Sequence, residues 1–130
     1  MNIRAISLVV IALVVAGLAA CDKQAESPLK KVTYVDDVGP ILEEHCAGCH
    51  LAGEKGAESS GLLMDSYESL MKGSRFGRVI EPGSATTSSL YIIISGKARL
   101  TVSMPHGTEP LSDEQIETIR VWIEEGAIEN

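Results

Sequence analysis

The chain has 130 residues, enough for one domain, and is 45% hydrophobic yet only 4% aromatic. Its formal charge of −7 excludes nucleic acid as an expected partner, because phosphate binding needs a basic surface. A small domain this poor in large aromatics is short of bulky apolar surface to bury, a deficit that a large flat apolar ligand at its centre would fill.

Residues 1–20 read as an export signal. Arg4 supplies a positive start, Ile6 to Leu18 is almost unbroken aliphatic, and Leu18-Ala19-Ala20 presents small residues to a peptidase. The apolar run is short for a bilayer span, which wants about 20 residues. Leu18-Ala19-Ala20-Cys21 resembles the lipobox of bacterial lipoproteins. That resemblance implies a lipid on Cys21, the first residue of the mature protein. The mature chain is then expected to be anchored to a bacterial membrane and to face the periplasm or cell exterior, with several acyl chains holding it far better than one. Residues 21–33 are polar, carry Pro28 and paired Lys30-Lys31, and lack helical periodicity. They read as a flexible tether reaching at most about 40 Å, which leaves residues 34–130 as one domain.

The first element of that domain is a helix over 36–45. Val38, Ile41, Leu42 and His45 fall at i, i+3, i+4 and i+7, one face of a 3.6-residue period. Asp36 and Asp37 suit the positive end of its dipole, and Pro40 is tolerable in the first turn. His45 belongs to this face and reads as a surface or core histidine rather than a ligand.

The helix feeds Cys46-Ala47-Gly48-Cys49-His50. Two thiols three positions apart, with an imidazole directly after the second, match the attachment pattern of a c-type haem. Each thiol adds to one vinyl group on the same porphyrin edge, so their spacing must match that of the vinyls. His50 can then turn beneath the ring and give a nitrogen to the iron as proximal ligand. A thioredoxin-like pair expects a strand-to-helix context. A structural zinc site needs four ligands, and the only thiol outside the motif is Cys21. Export also places the chain where c-type maturation occurs, so signal and motif support each other.

Leu51 to Gly61 is small, polar and glycine-rich, hence loop. Asp65-Ser66-Tyr67-Glu68 has the spacing of a helix-opening box, with Leu70 and Met71 inward and Gly73 as the stop. Residues 73–83 are loop again. Leu90-Tyr91-Ile92-Ile93-Ile94 holds a β-branched run that would suit a strand, but Ser and Thr before it and Gly96 after it favour a helix over 88–95. The clearest helix is 111–126. Ser112 caps it, Gln115 completes a capping box and Leu111 can staple onto Ile116. Ile116, Ile119, Trp122 and Ile123 form its buried stripe.

Function turns on the iron's other axial position. Met104-Pro105 lies in an apparent loop before the last helix. A thioether bonds iron without deprotonation, and paired with histidine it raises the reduction potential and marks electron-transfer haems. Met64 and Met71 adjoin or lie within a predicted helix and read as core filler. His106 is the rival: two residues on in an extended chain, its side chain points away from that of Met104. Histidine there would lower the potential, and an open site would permit gas binding or peroxidase chemistry. Arg75, Arg78 and Arg99 lie in loops near the Met104 segment and read as solvated surface, the alternative being that one of them pairs with a haem propionate.

Taken together, the domain resembles a c-type cytochrome of class I order, and more specifically the planctomycete-type cytochrome c domain. The matching residues are Asp37-Val38-Gly39-Pro40-Ile41-Leu42, Cys46 through His50, Gly61-Leu62, Leu70-Met71-Lys72-Gly73, Glu81-Pro82-Gly83-Ser84, Ser89-Leu90-Tyr91, Met104-Pro105, and 111–116 through 122–127. The resemblance implies a mostly α fold of about four short helices wrapped around one covalent haem c. It also implies iron ligation by His50 and Met104, and electron transfer. The domain stands alone on its tether, whereas many relatives sit inside larger multidomain proteins. The expected partners are redox proteins and the membrane, with no small-molecule substrate. The chain is not expected to be an enzyme by itself, though it would suit the electron-accepting subunit of a dehydrogenase. The alternative from another class is a haem-based sensor or ligand-binding module with a displaceable sixth ligand.

Overall fold

Thr33 opens the folded chain. Its hydroxyl accepts from the Asp36 N–H at 3.2 Å, while the Asp37 carboxylate accepts from the Thr33 N–H at 2.9 Å and from its hydroxyl at 3.1 Å. The protein is described here by a computed structural model, which covers residues 31–98, 104–107 and 109–130, all within the unit Lys31–Asn130. The export signal, Cys21, the tether up to residue 30 and Arg99 lie outside the described residues.

The helix expected over 36–45 is two elements. A π-type turn, Tyr34–Val38, closes with the Gly39 N–H on the Tyr34 carbonyl, and α1 follows as Gly39–His45. Pro40 explains the break, because it has no N–H to return to the Asp36 carbonyl and the ladder changes register just before it. The expected face survives the change. Val38 and Leu42 are buried and Ile41 is half-buried against the core.

The chain continues through α2, Ala47–His50, into α3, Lys55–Ser60. The second of these corrects the expectation of loop over 51–61. Its Gly56 serves a close approach rather than a turn, and its end is marked by Gly61 in the left-handed region at φ +72°. Next comes α4, Tyr67–Lys72, capped by the Ser66 hydroxyl, which accepts from the Ser69 N–H at 3.1 Å. The cap is thus one residue later than a box starting at Asp65 would place it. Gly73, at φ +84°, stops the helix as expected.

A 3-10 turn, Ala85–Thr87, leads into α5, Ser89–Ile94. Burial of Leu90, Tyr91 and Ile94 on one side outweighs the β-branched preference for strand. Ser88, with no solvent exposure, accepts from the Glu81 N–H at 2.8 Å and donates to the Ser84 carbonyl at 2.8 Å. It ties the preceding loop to this helix.

The last helix, α6 (Asp113–Glu124), carries the full capping box of Ser112 and Gln115. Its inward stripe of Ile119, Trp122 and Ile123 is fully buried, each such side chain being worth roughly 1.5–3 kcal/mol of transfer free energy. This helix packs on the π-type turn, the 3-10 turn and α5. Tyr34, Tyr67 and Trp122 meet with ring centroids 5.1 to 6.4 Å apart, so most of the few aromatic rings are gathered in one cluster. The fold is mostly helical. Among the described residues there is no strand, only an isolated bridge between Ser74 and Gly77, and no helix is long and apolar enough to cross a membrane.

Candidate functional site

Cys46 sits at the joint between α1 and α2. Its N–H still bonds the Leu42 carbonyl at 2.9 Å, while its own carbonyl accepts from Cys49 at 3.1 Å and from His50 at 3.0 Å. One helical turn therefore carries both thiols and the imidazole. Positions i, i+3 and i+4 share a face, so Cys46, Cys49 and His50 are offered to one side of the chain. That is the arrangement needed to grip one edge of a rigid ring and reach its centre.

His50 is buried, and its Nδ1 lies 3.1 Å from the Leu62 carbonyl. A carbonyl only accepts, so Nδ1 carries a proton, and in the neutral ring the lone pair then lies on Nε2. This is the outer-sphere arrangement that orients a metal-binding histidine. The backbone explains how Leu62 gets there. Gly61 ends α3 in a left-handed turn, the Ser60 hydroxyl accepts from the Leu62 N–H at 3.1 Å, and the Met64 N–H bonds the His50 carbonyl at 2.9 Å.

Gly56 lies close against the Cys-His turn. A Cβ at that position would lie 2.6 Å from the Cys49 carbonyl oxygen and 3.1 Å from His50 Nε2. The absent side chain lets the backbone of α3 pack this closely on the turn that carries Cys49 and His50. A haem iron fits this donor set, since the porphyrin supplies four nitrogens and asks the protein only for axial donors. Among the described residues no three His, Cys, Asp or Glu side chains converge to hold a metal ion by themselves. A four-ligand zinc site of the kind weighed for the two thiols finds no such cluster to draw on.

The thiols differ. Cys49 is exposed, whereas Cys46 is half-buried, and burial, followed by the neighbouring Cys49, pushes its thiol up to about 11. Reactive redox cysteines have lowered values, so this environment disfavours thiolate chemistry.

Residues 104–107 bend rather than run extended, so the alternation of side chains expected there does not apply. Burial separates the two rivals instead: Met104 packs against the hydrophobic core that Cys46 also borders, and His106 is exposed. His45 is engaged elsewhere, its Nε2 accepting from the Gln115 amide at 2.9 Å across to α6. Arg75 donates to the Glu58 carbonyl at 2.5 Å, and Arg78 is exposed.

Three features of the site are new relative to the sequence reading: the α3 turn, Gly56 and the Leu62 carbonyl. The pair Gly61-Leu62 was their visible trace. No family model, curated protein or solved structure matches the chain.

Proposed function

We propose that the chain is a membrane-tethered monohaem c-type cytochrome that carries single electrons between redox partners outside the cytoplasm. The observation that carries this reading is the single turn holding Cys46, Cys49 and His50, with His50 Nδ1 committed to Leu62 and Nε2 left free. Bound haem supplies an iron that takes up and returns one electron. Cys46 and Cys49 would hold the ring as two thioethers, and His50 would give its Nε2 to the iron. Met104, packed on the core, would be the second iron donor, and a thioether in that role raises the potential. The helices would wrap the ring in the manner of class I cytochromes, a reading supported by the mostly helical fold. Cys21 carries the lipid anchor, a role supported by its place after Leu18-Ala19-Ala20. Partners dock briefly over a small interface, as in other redox encounters.

The test is carbon monoxide added to the reduced holoprotein made in a host with haem-attachment machinery. A firmly bound Met104 leaves the spectrum almost unchanged. Prompt binding would replace the electron carrier with the sensor or ligand-binding module.

A further inference from the structure

Lys72, Arg75 and Arg78 are three of the eleven Lys and Arg residues of an acidic chain, and they fall within seven positions, with no carboxylate between Glu68 and Glu81. At their centre stands Phe76, the only Phe of the chain and 82% exposed. The segment is held in a tight turn. Ser74 N–H donates to the Gly77 carbonyl at 2.9 Å, Gly77 N–H donates back to Ser74 at 3.1 Å, and the Ser74 hydroxyl accepts from the Phe76 N–H at 3.1 Å. Gly73 lets the turn close, since a Cβ there would lie 2.6 Å from the Gly77 carbonyl oxygen. The Arg75 N–H bonds the Ser60 carbonyl at 2.9 Å and so fixes the turn to the end of α3. Beside the tip is a cleft of about 400 Å³ lined by Lys72, Arg75, Ser69 and Ser74.

We infer that this tip docks on the anionic headgroup layer of a lipid bilayer. Phe76 enters the boundary between headgroups and acyl chains, and the cleft between Lys72 and Arg75 receives a lipid phosphate. An aromatic side chain suits that boundary, and each cation close to an anionic surface contributes about fivefold in binding. One protruding aromatic ring surrounded by cations, with no carboxylate between Glu68 and Glu81, is the pattern of a surface that lies in the boundary of an anionic bilayer, which favours lipid over an acidic protein. The position of the chain also favours lipid. The described domain begins at Lys31, ten residues after Cys21, a reach of about 35 Å at most, so the proposed anchor would keep the tip within range of a bilayer. The docking itself does not require the anchor or the haem.

The test is amide hydrogen exchange on the full-chain holoprotein mixed with vesicles of phosphatidylcholine, with or without phosphatidylglycerol. Exchange of residues 74–78 should slow about fivefold or more on the anionic vesicles only, with α6 unchanged as a folding control. Phe76→Ser combined with Arg78→Gln should abolish the difference. Equal exchange on both vesicle types, or slowing that survives the double variant, would overturn the proposal. Slowing seen only after an acidic protein is added would assign the tip to a protein partner and overturn it equally. Flotation with the neutral vesicles reads the Cys21 anchor separately, so loss of anchorage is not confused with loss of tip docking.

Discussion

Gly56 packs so closely under the Cys-His turn that a methyl group there would meet the Cys49 carbonyl oxygen at 2.6 Å. In an ordinary helix interior, Gly→Ala gains about 0.5–1 kcal/mol. Here the sign should reverse: Gly56→Ala should lower both the melting temperature and the haem-to-protein ratio. A raised melting temperature with full haem content would mean the close approach is not needed. If the proposed haem is bound with Met104 as its second iron donor, Met104→Ala should lower the reduction potential by a substantial part of the roughly 0.8 V that axial ligands span, and should admit carbon monoxide. His106→Ala should do neither, because His106 is exposed while Met104 packs on the core. Potentiometry on the two variants separates them. Cys46, Cys49 and His50 stand out in the sequence because the proposed haem attachment prescribes their spacing, and the structure places all three on one hydrogen-bonded turn. The Leu62 carbonyl was not, since any residue type supplies a carbonyl and only the path of the backbone decides which one reaches His50 Nδ1.

At the scale of elements, the loop before α5 hangs on the buried Ser88 hydroxyl, which serves the Glu81 N–H and the Ser84 carbonyl together. Ser88→Ala leaves the Glu81 N–H without its partner and the Ser84 carbonyl with only the Thr87 hydroxyl at 3.3 Å, and should cost about 1–3 kcal/mol in denaturant unfolding. Ser112→Ala removes the α6 cap and should cost about 1 kcal/mol. The contact of Tyr34 with Tyr67 and Trp122 has a pH signature. Burial, then the charges of Glu129, Glu68 and Asp65, push the Tyr34 hydroxyl above its ordinary 10.0. A raised value favours the protonated form in the folded state, so this contribution is fully present below about pH 10 and is lost as pH rises through the folded value. Tyr34→Phe should therefore flatten the alkaline limb of the stability curve, and an unchanged limb would place the alkaline transition elsewhere. Helix α6 was legible down to its cap because Ser112, Gln115 and the apolar stripe all agree. The 51–61 segment was misread because its glycines suggest turns, and only the packed structure shows that Gly56 is small for contact. The π-type turn was hidden because a period of apolar residues does not register a change of hydrogen-bond ladder.

For the whole molecule, the mostly helical architecture was readable from periodicity, and the small aromatic content is used in one cluster of Tyr34, Tyr67 and Trp122 beside the last helix. The proposed haem supplies the remaining apolar bulk, so a chain made without haem attachment should unfold at lower denaturant than the holoprotein. Cys21→Ser should release the protein from membranes without changing its spectrum, and continued membrane association would point to an uncleaved N-terminal anchor. The most direct measurement is a denaturing gel of correctly exported protein, stained for haem and followed by a count of alkylatable thiols in the 46–49 peptide. The expected result is haem travelling with the polypeptide and both Cys46 and Cys49 blocked. A colourless band in which both sulfurs alkylate freely would contradict it.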